Sequence, residues 1–215
     1  MPDSAKPHKD RANKRDRKAT EQAILAAFEA VLLREGVQGL GVNAVAQEAG
    51  VNKVLIYRYF QDFPGLARQW VSNGSFWPSE LELIGDDPAA FEKKEVQDRV
   101  CEVLLNYLDG IRARPRTVEM LAGEMMNPTD LTRALQDGMV QPGKGVGDYI
   151  KQESIDQDIS DKVWGLIYLV SALTTFLTVR ERSNPQFLGL DLSDEETWKF
   201  LRKTIADISI SYLKS

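Results

Sequence analysis

Gly50 is the residue that most restricts how this chain can fold. It stands between two short helix-like runs in VAQEAGVNKVLIYRYF, residues 45–60. A residue without a Cβ tolerates the left-handed backbone that ends one helix and turns the chain at once into another. Before it, Val45, Ala46 and Ala49 recur at helical spacing. After it, Val51 offers an apolar plug, and Asn52 offers a side-chain oxygen to the free amides of a second helix. In that second helix the 3.6-residue period turns Ile56 and Phe60 inward. Val54, Leu55, Tyr57 and Arg58 point outward, flanked by Lys53 and Tyr59. A basic and aromatic outer face on a short helix after a glycine turn is the form of a helix-turn-helix recognition element. Lys53, Val54, Leu55, Tyr57, Arg58 and Tyr59 are therefore the candidate DNA-binding residues.

AGVNKVLIYRYF followed by QDFPGL resembles the AGVS…LYxYF…L signature of TetR/AcrR-type bacterial transcriptional repressors, and the likeness spans roughly residues 18–78. The resemblance implies an all-α fold: a three-helix DNA-binding head and a C-terminal helical bundle for ligand binding and dimerisation. It also implies a homodimer that pairs its last two long helices with their copies. Such a dimer occupies an inverted-repeat operator DNA and represses a promoter until a small molecule binds the bundle. Two residues depart from the pattern. Phe63 stands where the family usually has a phosphate-contacting lysine, and Gly41 where it often has a threonine N-cap.

Charge supports this polarity. The net charge is −5, but residues 1–60 carry +3 and residues 61–215 carry −8. A basic end on an acidic body orients a molecule towards a polyanion. The single cysteine, Cys101, forms no intrachain disulfide, and a polar first segment without a signal-peptide pattern favours the cytoplasm. The only histidine, His8, lies in a polar arm, which argues against a His/Cys metal site and a Ser-His-Asp triad. No catalytic residue, metal or cofactor is expected. GKGVG at 143–147 lacks the Walker spacing and is better read as a helix break. The charge-free run 163–179 is close to the minimum for a membrane span. Gly165, Ser171 and several threonines within it favour a helix buried on two sides of a soluble bundle, with no membrane partner.

Three segments are expected: a flexible basic arm at 1–16, a helix-turn-helix domain at 17–63 and a helical body at 64–215. Ile24, Phe28, Val31 and Leu32 form the inner stripe of a first helix that Gly36 ends. Pro64 opens a helix, with Asp62 as its cap, that runs on towards Trp77. A long helix is read from Pro88 to Arg114, a further one through Leu131, Leu135 and Tyr149, and no strand-like hairpin. Ser193 and Glu196 have the spacing of a capping box before the last helix.

In the body, Trp70, Phe76, Trp77, Tyr107 and Met120 are candidates to line a pocket for a small apolar or aromatic effector, as are Met125, Met126, Trp164 and Tyr168. Each is also an ordinary core residue type. Arg112, beside Arg114 and Arg116, either complements a helix dipole or pairs with a ligand carboxylate. The dimer candidates are Leu166, Val170, Leu173 and Leu177 on one helix and Leu201, Ile205, Ile208 and Tyr212 on the other. A ligand-independent regulator, an activator, or a helical binding protein without DNA binding are the competing readings.

Overall fold

The computed structural model describes residues 6–72, 76–126, 128–137 and 157–215, with the backbone alone at 6–15 and 136–137. Residues 138–147 and Tyr149 lie outside the described residues. Among those described are eleven helices and one two-residue-stranded hairpin, so the protein is all-α. They form two compact units, drawn from Met1–Gly74 with Ala122–Met139 and from Ser75–Leu121 with Val140–Ser215.

The first unit is the head. Helix α1 spans Lys6–Gly39 and is interrupted at Gly36, where φ is 71°. It begins inside the segment read from sequence as a flexible arm; Lys, Arg and Ala are good helix formers, and the polar stretch continues the helix backwards. Helices α2 (Val42–Glu48), α3 (Lys53–Phe60) and α4 (Phe63–Ser72) follow. Ile24, Phe28, Val31, Leu32, Val45, Ile56, Phe60 and Leu66 are all buried. Phe28 stacks at a tilt against Trp70, 5.2 Å between ring centres. Helix α4 thus belongs to the head, not to the body where the sequence boundary put it. Its described residues run to Ser72, and Trp77 lies in a bend outside it. Helix α9 (Asp130–Asp137) packs on α4 in this same unit.

The second unit is the body. It holds α5 (Glu80–Ile84), α6 (Pro88–Glu92), α7 (Val96–Arg112) and the start of α8 (Pro115–Met126). Helix α10 (Gln157–Ser183) and helix α11 (Glu195–Lys214) complete it. The long helix read from Pro88 to Arg114 is broken in two at Lys93–Glu95. Helix α7 is central and packs on α5, α10 and α11. Val100, Leu104 and Leu108 meet Val163, Leu166, Val170, Leu177, Trp198 and Ile205 in one core. Arg112 pins three helices together. It donates to Glu181 at 3.0 Å and to Glu195 at 2.9 Å, and its guanidinium lies 4.0 Å above the Trp198 ring.

Two local expectations are corrected. Between α10 and α11 the chain forms a hairpin, β1 (Gln186–Phe187) against β2 (Leu190–Asp191), with Leu188 and Gly189 at positive φ in its turn. Leu in that position is disfavoured, which is why no turn signal was visible. The last helix is capped by Asp194, which accepts from the Glu196 amide at 3.0 Å; Ser193 is spent on Asp191 instead. A full capping box occurs elsewhere, at Ser79 and Glu82 of α5.

Glu82 gives that cap a pH dependence. The Ser79 backbone amide, then Arg114, then the Ser79 hydroxyl hold its carboxyl down at about 2 from an ordinary 4.5. A depressed carboxylate contributes stability that is complete above the unfolded value and is lost as pH falls through the folded one. Glu82→Gln should therefore cost stability at pH 6, by up to about 1 kcal/mol for so exposed a group. The gap to wild type should close between pH 4.5 and 2. Denaturant melts of both proteins across that range measure it; a gap independent of pH would contradict it.

Candidate nucleic-acid interface

The two helices of the motif are joined as their residues dictate. Gly50 has φ 64°, in the left-handed region. Its amide reaches the Gln47 carbonyl at 3.1 Å, and the Val51 amide reaches Ala46 at 3.0 Å. Asn52 caps α3, its side chain accepting from the Val54 amide at 2.9 Å. With the turn closed, Ile56 and Phe60 are buried. Lys53, Val54, Tyr57 and Arg58 are exposed, with Val54 63% and Tyr57 46% accessible. Leu55 and Tyr59 are half-buried. The exposed four form one face, and Leu55 and Tyr59 edge it.

Both departures from the family pattern have a visible consequence. Phe63 turns towards the head's core, 5.8 Å from the Phe28 ring, and presents no cation. Gly41 is the N-cap of α2 and makes no side-chain cap bond. Sequence reasoning missed two neighbours of the motif. The Arg17 guanidinium lies 5.1 Å over the Tyr59 ring, and Gln61 takes a positive φ at the α3–α4 corner. Neither has a local signal: Arg17 is distant in sequence, and nothing in QDFPGL demands that conformation.

The candidate effector residues do not gather in one place. Trp77 stacks on Tyr107 at 6.4 Å beside Ile111, Val118, Leu121 and Val179. Thr117 donates to the Phe76 carbonyl in the same unit, and Met120 is buried. Burial pushes the Tyr107 phenol up, opposed by a hydrogen bond with Ser171. Trp70 instead sits in the head core, because α4 folds against α1. Met125 and Met126 are 59% and 70% exposed at the end of α8. Trp164 lies over Tyr168 on α10, and Tyr168 is exposed. Arg112 is committed to Glu181 and Glu195.

The dimer candidates divide in the same way. Leu166, Val170, Leu177 and Ile205 are buried in the chain's own core, and Leu201 is half-buried against it. Only Leu173, Ile208 and Tyr212 face outward, joined by Tyr168, Leu169, Phe176 and Phe200. On α11 the inward line passes from Ile205 to Ser209, which leaves Ile208 outside. Helix α10 is also long and apolar enough to cross a membrane by length and composition, although Val163, Leu166, Val170, Thr174, Leu177 and Thr178 are buried in the body.

This capped two-helix unit with an outward basic-aromatic face, in an all-helical chain, has the form of a helix-turn-helix. Residues 24–62 match the family model for bacterial regulatory proteins of the tetR family. The fold agrees along most of its length with solved structures of low sequence identity. One is a Rhodococcus sp. protein assigned to the TetR family (19% identity, 89% of this chain and 99% of that one, TM-score 0.51). Another is FadR from Bacillus subtilis, solved in complex with stearoyl-CoA (16%, 89% and 98%, TM-score 0.54). A third is NalD, the secondary repressor of the MexAB-OprM multidrug efflux pump in Pseudomonas aeruginosa (15%, 91% and 97%, TM-score 0.54). No curated protein matches by sequence.

Proposed function

We propose that this protein is a TetR-type transcriptional regulator: a cytoplasmic homodimeric repressor that reads an inverted-repeat operator with α3 and is released by a small, largely apolar effector in the body. The observation that carries the DNA reading is the face of α3. Lys53 and Arg58 supply cations there, Tyr57 a hydroxyl, and Val54 an apolar contact surface, while Ile56 and Phe60 fix the helix in the core. A two-fold dimer sets two such helices on half-sites spaced by the DNA helical repeat. The exposed apolar residues gathered on α10 and α11, two helices that pack on each other, support that dimer: single exposed apolar residues are ordinary, but several on neighbouring helices point to an interaction site. They also support reading α10 as a helix shared between two bundles, with no membrane.

Operator selection from random duplexes, followed by mobility shift of the selected sequence, tests the reading. Equal affinity for scrambled DNA would reject it. Val54 and Leu55 are suited to the thymine methyl group in the major groove. Replacing the contacted thymine by uracil should weaken binding by about 1 kcal/mol, the scale of a modest base contact. Loss at no thymine of the half-site would remove these two residues from base reading.

The effector reading rests on the apolar and aromatic set around Trp77 and Tyr107. The fold it shares with an acyl-CoA-bound regulator and with an efflux-pump repressor makes long-chain acyl compounds and apolar drugs the first ligands to try. A ligand releases DNA only by binding the DNA-incompetent arrangement more tightly, and operator DNA must then weaken the ligand by the same factor. Quenching of Trp77 and loss of operator binding should follow one titration curve. If a broad panel of such compounds leaves operator affinity unchanged, regulation without a ligand, or activation, becomes the better reading.

A further inference from the structure

The corner between α3 and α4 holds a strained residue. Gln61 has φ 70° and ψ −56°, and the Asp62 amide donates to the Phe60 carbonyl at 2.9 Å. This is the positive-φ γ-turn, a rare and strained form for a residue that carries a Cβ. Such strain persists only where its surroundings over-determine it, and it concentrates at binding sites. Gln61 is exposed and helps line an open groove of about 360 Å³ with Tyr59, Gly65, Arg68, Gln69 and Ser72. Beside the buried Phe60, the groove carries hydrogen-bond donors of the kinds that take phosphate oxygens, two amides, a phenol and a guanidinium, while the Ser72 hydroxyl donates to the Gln69 carbonyl at 2.8 Å.

Two arginines flank Tyr59. Arg68 lines the groove and makes, among the described residues, one long contact, 3.4 Å, to Asp62. Arg17 covers the Tyr59 ring and bonds Glu21 at 2.9 Å through Nε. Asp62 and Glu21 are thus the acidic neighbours; the Arg68–Asp62 pair is exposed on both sides, and in the other pair Arg17 is exposed and Glu21 half-buried. Solvent-accessible pairs of this kind contribute little, so a phosphate able to take the guanidinium fork competes for it. Tyr59 also edges the outward face of α3, so groove and recognition face are continuous.

We infer that this corner seats two adjacent DNA backbone phosphates, one taken by Arg68 with Gln61 and the other by Arg17, on either side of Tyr59. The inference rests on the DNA-binding reading above. It assigns positioning rather than base reading, because phosphate contacts fix register and carry no sequence information.

The test measures affinity for the selected operator and for a scrambled duplex between 50 and 200 mM salt, in wild type and in Arg68→Gln and Arg17→Gln. Each lost phosphate contact should flatten the plot of log affinity against log salt by about 0.9, so each variant, which loses one contact per half-site of a two-fold dimer, should flatten it by about 1.8. The ratio of operator to scrambled affinity should stay constant in both variants. Lys199→Gln, on exposed α11, should leave the slope unchanged and so controls for overall charge. Thermal melts confirm that each variant is folded, which the exposure of both arginines favours. An unchanged slope in either arginine variant, or a flattening as large in the Lys199 control, overturns the seat while leaving DNA binding intact. If wild type binds no selected duplex, the DNA-binding reading fails and the seat falls with it.

Discussion

Ile208→Glu should give a folded monomer that has lost most of its operator affinity. Ile208 is 57% exposed in the protomer, on the side of α11 that also carries Phe200 and Tyr212. A polar residue there costs the isolated chain little, within about 0.5 kcal/mol for an exposed helix position. In a homodimer the same position is met by a symmetric copy, and two carboxylates enter an apolar seam where neither has a partner. Loss of the dimer separates the two half-sites, so the gain from tethered binding, typically ~10²–10⁴-fold, disappears. Sedimentation and operator titration should change together, with the thermal melt of the protomer nearly unmoved. A variant that still sediments as a dimer would place the interface elsewhere. Ile205→Glu is the contrasting case: Ile205 is 5% exposed in the protomer's own core, so that change should unfold the body rather than merely separate protomers.

Gly65→Ala should cripple the head. A Cβ on Gly65 would lie 2.2 Å from the Phe60 carbonyl oxygen and 3.0 Å from the Asp62 carboxylate. Backbone cannot swing aside as a long side chain can. That carbonyl also accepts the Asp62 amide of the γ-turn, and Asp62 caps α4 through the Gly65 amide. Relief of the clash therefore moves the end of α3, with the buried Phe60 ring, or uncaps α4. Alanine's better helix propensity offsets about 1 kcal/mol, against an overpacking cost of about 1–3 kcal/mol plus the lost cap. The expected net loss is ~2 kcal/mol, together with weakened DNA binding, since α3 is displaced. Gly41 makes the comparison informative. It has extended φ −163° and nothing within 4 Å of a Cβ, so Gly41→Ser should be tolerated and should add the missing cap. Equal melting behaviour of the two variants would contradict the steric argument.

What sequence determined here is local. The α2–turn–α3 unit depends on contacts between residues no more than about four apart: Gly50 for the left-handed link, Asn52 for the cap, and Ile56 with Phe60 one turn apart on the buried side. Periodicity and capping chemistry act over that range, so the outward face of α3 could be read directly. The all-α class followed from the same signals. Which neighbour covers each apolar face was decided only in three dimensions. Helical spacing groups Trp198, Leu201, Ile205, Ile208 and Tyr212, yet α7 takes the side with Trp198 and Ile205 and leaves Ile208 and Tyr212 outside. Trp70 and Trp77 looked like one helix of one pocket; α4 ends between them, and the first packs on Phe28 while the second stacks on Tyr107. Arg17 and Tyr59 meet across more than forty positions of chain. A period states which residues share a face, but the partner of that face is set by competition among all the apolar surfaces the chain must bury at once, and that competition is resolved only by the packed structure.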